Sequence, residues 1–88
     1  MSYTIDIRPL AARQLKKLTL AVQVQIIKQL EELEAEPRPL DVKKLSGKNN
    51  LYRVRVGEYR IVYAVEDTAL LVLVVAVGHR REIDRDLT

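Results

Sequence analysis

The sequence predicts an α+β fold of the order β-α-α-β-β-β. A helical hairpin packs on one face of a small, mainly antiparallel sheet, and a short C-terminal tail or helix follows. Three observations support this fold: two stretches with helical apolar spacing come first, strand-like apolar stretches follow, and tight-turn residues separate those strands. The chain has 88 residues, so we expect a single domain over residues 1–88.

The first half of the chain predicts one strand and two helices. Residues 3–8 alternate apolar and polar side chains, which is typical of a strand, and Pro9 suits the first position of a helix. Apolar residues at helical spacing within residues 10–18 predict that helix. Thr19 is a suitable N-cap for a second helix, and Pro37 ends it because the residue before a proline is pushed out of helical geometry.

The second half predicts three strands that run back and forth. They are residues 51–56, 59–66 and 70–77, preceded by a polar, irregular stretch over residues 40–50. Gly57 and Glu58 form the first turn, with glycine first as a type II′ hairpin prefers. Asp67 and Thr68 form the second turn, and the continuous apolar run after them is typical of a central strand buried on both faces.

The first of these turns fixes which side chains of the hairpin face each other. With a two-residue loop, Arg55 lies opposite Arg60, and alternation places Arg53 on the same face. The other face is apolar, and we expect the helical hairpin to cover it. Like charges directly opposite each other cost roughly 0.2–1 kcal/mol. Because folding does not require three guanidinium groups there, we expect an anion to bind between them.

The charged tail after Gly78 is expected to add to this site, beginning with His79, Arg80 and Arg81. If the last strand pairs around a two-residue turn, Val75 lies near Arg60 and the tail leaves the sheet beside the first turn. Cations converging from separate stretches fit a phosphodiester better than a small carboxylate. The alternative is a surface network in which an acid quenches the arginines, from among Glu58, Glu66 and Glu82.

Composition excludes several kinds of site. The absence of cysteine excludes disulfides and thiolate metal sites, and a single histidine argues against a zinc centre, so we expect neither metal nor cofactor. The net charge of +3 permits nucleic-acid binding without indicating it. The longest uncharged apolar run, residues 69–78, is about half of the roughly 20 residues that a membrane helix needs. The first residues lack the layout of a secretion signal, so we expect a cytoplasmic protein.

Two segments taken together are specific for a known family. They are YRVRVGEYRIVY at residues 52–63 and VGHR at residues 77–80, supported by ARQLKKL at residues 12–18 and KLSG at residues 44–47. In these segments the chain resembles the RelE/ParE superfamily of bacterial and archaeal toxins, and the RelE branch in particular. The resemblance spans almost the whole chain.

The resemblance implies a ribosome-dependent mRNA endonuclease that is the toxin of a type II toxin–antitoxin system. Such a toxin enters the A site of the 70S ribosome, beside the 16S rRNA, and cuts the mRNA codon there. The ribose 2′-OH attacks the adjacent phosphate without a metal or cofactor. A RelB-like antitoxin neutralises the toxin, which would meet DNA only indirectly through that antitoxin.

The resemblance also implies roles for the basic residues. Arg60 would bind the phosphate, and Arg80 would stabilise the charge on the leaving 5′-oxygen. Arg55 would orient the 2′-OH, while Arg53 would hold the flanking backbone. Further RNA contacts are expected at Arg81, Lys44 and Lys48.

The general base stays open between two candidates. Many relatives carry a tyrosine shortly after the VGHR motif, and Asp84 stands at that position here. His79 is the other candidate, because the ordinary pKa of histidine near 6.5 suits proton transfer at neutral pH. Arginine is not a candidate, since it does not give up its proton near neutral pH.

Two other functions fit the same fold. The missing tyrosine, together with arginine in place of lysine at residues 53 and 55, leaves a ParE-type inhibitor of DNA gyrase open. A catalytically weak homologue that acts with its antitoxin as a transcriptional co-repressor is the third possibility.

Overall fold

The computed structural model describes residues 2–45 and 50–87, which form five strands and three helices within that part of the chain. In chain order they are β1 (Thr4–Ile7), α1 (Pro9–Lys16), α2 (Leu20–Ala35), β2 (Lys43–Lys44), β3 (Leu51–Val56), β4 (Tyr59–Glu66), β5 (Leu71–His79) and α3 (Arg80–Leu87). The predicted α+β class and order of elements are confirmed, and the charged tail is a helix. The structure adds β2, a short strand inside the stretch that was expected to be irregular.

The strands form one mixed sheet in the order β1-β5-β4-β3-β2. Strand β1 pairs with β5 in parallel, and the other pairs are antiparallel. The last strand is therefore central, as its apolar run predicted. The prediction that this strand is buried on both faces was wrong. Val72 and Val74 are completely buried, while Leu71 and Leu73 on the other face are half-buried. The helical hairpin covers the face that carries the two valines.

The helices begin and end where local chemistry requires. Pro9 occupies the start of α1, and the Thr19 hydroxyl accepts a hydrogen bond of 3.3 Å from the backbone N–H of Val22 at the start of α2. The α2 helix ends just before Pro37, as expected. Its buried residues Ile26, Leu30 and Leu33 join Ala11 of α1 against the sheet. In the part of the chain that the structure describes, no helix is long and apolar enough to cross a membrane.

The β3–β4 hairpin has the predicted register. Arg55 pairs with Arg60, and Arg53 pairs with Val62. Gly57 has a φ of 60°, a left-handed conformation that glycine adopts without a Cβ penalty, and Glu58 after it has a negative φ. That combination is what a type II′ turn requires.

The predicted register between β4 and β5 was wrong. Arg60 lies opposite Gly78 rather than near Val75. The connecting loop covers residues 67–70 instead of two residues, and it includes Leu70 at a φ of 51°. A bulge opposite Val62 and Tyr63 adds a further residue to β5. Both changes displace the register in the same direction, which moves the start of α3 closer to the β3–β4 hairpin.

Candidate functional site

Basic side chains from β2, β3 and β4 share the sheet face that lies opposite the helical hairpin. Arg55 and Arg60 are direct partners, and Lys43 of β2 pairs with Arg53 of β3. Partners in antiparallel strands point to the same side of a sheet, so Lys43 extends the row. We call this set, Lys43, Arg53, Arg55 and Arg60, the cationic face. It lies at the sheet end that carries the Gly57 turn.

Lys43 was missed by sequence reasoning, which selected Lys44 instead. Lys44 pairs with Tyr52, whose ring is buried in the core, so Lys44 belongs to the side of the sheet that carries the helices. A two-residue strand in a polar stretch carries no hydrophobic alternation, so the sequence gives no sign of which lysine joins the arginines. Lys48, the other lysine predicted to contact RNA, lies outside the described residues.

Arg60 is held rigidly at the start of β4. Arg60 is only 8% exposed, and its Nη1 atom donates to the carbonyl oxygens of Gly57 at 3.2 Å and of Tyr59 at 3.0 Å. These hydrogen bonds orient the guanidinium group before any ligand arrives. Arg55 opposite it is exposed, and among the described side chains no carboxylate makes an ion pair with Arg55. A fixed cation therefore stands beside an accessible one, an arrangement suited to gripping an anion.

Arg80 is tied to the same hairpin through Glu58. Its backbone N–H donates to the Glu58 carbonyl oxygen at 2.8 Å, and its Nε lies 3.1 Å from the Glu58 carboxylate. Because Arg60 lies opposite Gly78, the α3 helix begins at the end of the sheet that carries Arg55 and Arg60. Glu58, one of the three acids considered in the alternative surface network, thus forms an ion pair with Arg80.

Gly78 allows α3 to pack closely at this position. A Cβ atom on Gly78 would lie 3.3 Å from Cδ1 of Ile83, tighter than ordinary packing allows. Ile83 is itself 4% exposed, so it anchors the first turns of α3 against the end of β5. The glycine of the VGHR motif therefore determines where Arg80 stands.

His79 is not brought together with Arg60. It pairs with Tyr59, and the two rings meet edge to face with centroids 5.6 Å apart. Alternation along β4 places Tyr59 on the side opposite to Arg60. The Nδ1 atom of His79 accepts a 3.2 Å hydrogen bond from the backbone N–H of Arg81, so the neutral ring carries its hydrogen on Nε2.

The remaining predicted residues lie on α3. Arg81 is exposed in the first turn of that helix. The backbone of Asp84 lies within α3, and its side chain lies outside the described part of the structure. Among the side chains that the structure describes, those of residues 2–45 and 50–83, no group of three or more histidines, aspartates or glutamates could hold a metal ion.

A second arginine centre, which the sequence did not indicate, lies at the opposite end of β4. Arg38 donates from both terminal nitrogens to the Asp67 carboxylate at 3.1 and 2.8 Å, and from Nε to the Tyr52 hydroxyl at 2.9 Å. The Tyr3 hydroxyl donates to the same carboxylate at 2.7 Å. We call these four residues the Arg38 network. It joins the loop after α2 to the β4–β5 turn and the N-terminus.

The Arg38 network shifts the titration of its members. The hydrogen bonds from Arg38 and then from Tyr3 lower the pKa of Asp67, and the bond to Asp67 raises the pKa of Tyr3. Tyr63 stacks on Tyr52 of this network, with the ring centroids 5.9 Å apart. The Tyr63 hydroxyl donates to the Pro37 carbonyl oxygen at 2.7 Å. Its burial raises the pKa of the Tyr63 hydroxyl. The loop that leads to β2 is thus fixed to the sheet.

Known proteins share this fold and much of this sequence. A family model described as the ParE toxin of the type II toxin–antitoxin system parDE matches residues 5–84. The mRNA interferase toxin RelE of Escherichia coli is 34% identical over 82 residues, which cover 91% of this chain and 85% of that protein.

Two solved complexes contain chains of the same shape. The RelBE toxin–antitoxin complex of E. coli matches with a TM-score of 0.79 and 32% identity, covering 89% of this chain and 96% of that one. The archaeal RelE–RelB complex of Pyrococcus horikoshii matches with a TM-score of 0.81 and 29% identity, covering 91% of this chain and 97% of that one.

Proposed function

The chain belongs to the RelE/ParE toxin family and is a RelE-type toxin of a toxin–antitoxin system, and on that premise we propose that it is a ribosome-dependent mRNA endonuclease. The observation that carries the proposal is the cationic face, on which Arg55 lies directly opposite Arg60 at the end of the sheet where Arg80 begins α3. Two arginines directly opposite each other repel, and a strained phosphodiester between them would be stabilised by both charges.

The proposed reaction is an internal transfer within the RNA strand. The ribose 2′-oxygen attacks the adjacent phosphorus, the bond from phosphorus to the 5′-oxygen breaks, and the products are a 2′,3′-cyclic phosphate and a free 5′-OH. The proton lost from the 2′-OH goes to a base, and a proton is supplied to the leaving 5′-oxygen. Negative charge therefore grows on the phosphate and on the leaving oxygen, where fixed cations stabilise the transition state.

The positions of the arginines fit a division of roles. Arg60, oriented by its hydrogen bonds to the hairpin, would bind the non-bridging phosphate oxygens. Arg80 would face the leaving oxygen, and the exposed Arg55 would orient the 2′-OH. Arg53, one alternation along β3, would hold the flanking backbone, and Lys43 opposite it would extend that contact.

We propose that the proton acceptor is His79 or Asp84. The hydrogen bond from the Arg81 N–H to His79 Nδ1 places the hydrogen of the neutral ring on Nε2, so His79 would accept a proton through Nδ1 once that hydrogen bond opens. Asp84 follows Arg80 by one turn of α3. The cleavage rate of the wild type should fall as the pH is lowered and the base becomes protonated. This fall should be absent from the variant that lacks the base, so pH–rate profiles of His79→Gln and Asp84→Asn distinguish the two candidates.

The proposed partners follow from the same surface. A RelB-type antitoxin, as in the E. coli and P. horikoshii complexes, would cover the cationic face with an acidic segment. During catalysis the partners would be the 70S ribosome, with its 16S rRNA, and the mRNA. Contacts between arginine and phosphate release counterions, so ribosome binding should weaken as salt rises. Affinity that stays constant between low and high salt would count against this surface.

The test uses ribosomes programmed with a defined mRNA. Wild-type protein should cut the mRNA in the A site. The rate of cleavage should be lower by a factor on the order of 10²–10³ in Arg60→Ala, and by a similar factor in Arg80→Ala. Circular dichroism of each variant shows whether it is folded, which matters most for the buried Arg60. Equal cutting by all three folded proteins would refute the proposal.

A gyrase inhibitor is the second candidate, favoured by the match to the ParE family model. The two functions make opposite predictions in purified systems. An inhibitor of this type would block DNA supercoiling by gyrase and leave ribosome-bound mRNA intact.

A further inference from the structure

An acidic side chain lies beside the cations of the proposed RNA site. Glu58 is the second residue of the β3–β4 turn, and its carboxylate lies 3.1 Å from Nε of Arg80. Both side chains are solvent-accessible, at 63% for Glu58 and 50% for Arg80. A carboxylate beside an expected phosphate position repels that phosphate, so its presence needs an explanation.

Holding α3 in place does not account for the carboxylate. The backbone N–H of Arg80 already donates to the Glu58 carbonyl oxygen at 2.8 Å, and Ile83 anchors the helix beside Gly78. Exposed ion pairs contribute little to the stability of a protein. The side-chain contact therefore contributes little to the fold, while it does change what the Arg80 guanidinium presents to a ligand.

We propose that Glu58 is an exchangeable counter-ion for Arg80, a positioning residue whose carboxylate a phosphodiester replaces. The inference rests on the proposed function, in which Arg80 contacts RNA. Without RNA, the carboxylate holds the guanidinium at the rim of the site and neutralises it. When a strand binds, a phosphate oxygen takes over Arg80 and the Glu58 carboxylate turns to solvent. The ion pair thereby weakens nonspecific binding of nucleic acid. A strand that is held in the site interacts with the full charge of Arg80.

Counterion release gives this exchange a distinct signature. Cations condensed on a single strand are released when an arginine neutralises a phosphate, and each neutralised phosphate contributes about 0.7 to the slope of log affinity against log salt. Arg80 paired with Glu58 has an internal counter-ion, and the displaced carboxylate stays beside the strand, where its negative charge offsets the charge of Arg80 and holds back a cation. Arg80 should therefore contribute little to the slope in the wild type and its full share once the carboxylate is gone.

The experiment measures binding of the full-length chain to a short 2′-O-methyl RNA strand, which has no free 2′-OH to attack, by fluorescence anisotropy over a series of salt concentrations. Glu58→Gln should bind about 3- to 10-fold more tightly at low salt and should steepen the salt slope by about 0.7. The matched control is Glu66→Gln, which makes the same change of net charge at the exposed far end of β4. It should change affinity by less than about twofold and leave the slope unaltered.

A double variant assigns the effect to Arg80. In an Arg80→Gln background, Glu58→Gln should change binding no more than Glu66→Gln does, because the guanidinium that the carboxylate neutralises is absent. Glu58→Gln that behaves like Glu66→Gln in the wild-type background, or that keeps its full effect without Arg80, would overturn the inference. Absence of binding by both the wild type and Glu58→Gln would overturn it too.

The inference and the proposed function fail in different assays. If the wild type cuts mRNA on ribosomes while Glu58→Gln matches its control in the binding assay, the counter-ion role is wrong and the nuclease stands. If Glu58→Gln binds more tightly with the steeper slope and the wild type leaves ribosome-bound mRNA intact, the exchange is supported and the nuclease is wrong.

Discussion

The two ends of β4 use arginine in opposite ways. At one end, Arg38 reaches Asp67 and Tyr52 with charge-assisted hydrogen bonds of 2.8–3.1 Å, and the acid that balances it belongs to the fold. At the other end, Arg60 lies opposite Arg55, so cations face each other across the hairpin. The first arrangement joins a loop to a turn, and the second concentrates charge.

The difference separates an arginine that joins elements of the fold from an arginine that we propose binds RNA. A fold gains from an arginine whose donors are matched by acids and hydroxyls, as in the Arg38 network. A pair of arginines directly opposite each other costs roughly 0.2–1 kcal/mol instead. The Arg80–Glu58 pair is intermediate, because it is matched yet largely exposed. The same arginine-to-lysine substitution should therefore slow cleavage at the Arg60 end and lower stability at the Arg38 end.

Among the substitutions that compare the two ends, the largest effect is expected from Arg60→Lys, at the end that carries the arginine pair. Lysine keeps the charge and loses the planar fork that donates to the hairpin carbonyls, so the cation is no longer held in one orientation. We expect cleavage of mRNA on programmed ribosomes to slow by on the order of 10². Cleavage at the wild-type rate would show that the oriented fork is not used.

The same substitution at the structural end, Arg38→Lys, should affect stability and not cleavage. It removes the two-pronged bond to Asp67 and the bond to Tyr52, which should lower the free energy of unfolding by about 1–2 kcal/mol. Urea titration measures this loss, and Arg8→Lys is the control because, among the described residues, the Arg8 side chain makes only an exposed 3.6 Å pair with Asp6. Slower cleavage by folded Arg38→Lys would break the distinction between the two ends.

The Arg38 network should also make stability depend on acid. Because the folded state lowers the pKa of Asp67, its contribution is present above the unfolded pKa of about 3.9 and is lost as the pH falls through the lower folded value. Urea titrations at pH 7 and below pH 4 should show a smaller acid-induced loss in Asp67→Asn than in the wild type. Asp6→Asn is the control, and an equal loss in Asp67→Asn and the wild type would contradict the assignment.

The smallest effect is expected from Lys43→Gln at the edge of the cationic face. Lys43 adds one charge opposite Arg53, so its loss should reduce the salt slope of RNA binding by about 0.7. Lys44→Gln should leave the slope unchanged, because Lys44 pairs with Tyr52 on the side that carries the helices. Equal effects of Lys43→Gln and Lys44→Gln would show that the register of β2 does not decide which lysine contacts RNA.

The parts of the fold that follow from local chemistry were predictable. Thr19, Pro9 and Pro37 set the helix ends, and the two-residue turn at Gly57 fixed the pairing of Arg55 with Arg60. That register depends on a loop with one preferred geometry, so the arginine pair could be found from spacing alone.

The parts that depend on longer loops or distant contacts were not predictable. A four-residue loop and a bulge leave no mark in an apolar run, so the pairing of Arg60 with Gly78 was missed. Strand β2 is too short for a pattern. The Arg38 network joins residues far apart in sequence, and only the folded chain brings them together.

Mapping the 5′ ends of cellular mRNA after induction of the toxin tests the central claim most directly. If the cationic face cuts RNA on the ribosome, new 5′-hydroxyl ends should accumulate within translated codons in cells expressing the wild type. They should be absent from cells expressing equal amounts of folded Arg80→Ala. Growth arrest by the wild type with intact mRNA would contradict the account and would favour a target other than RNA.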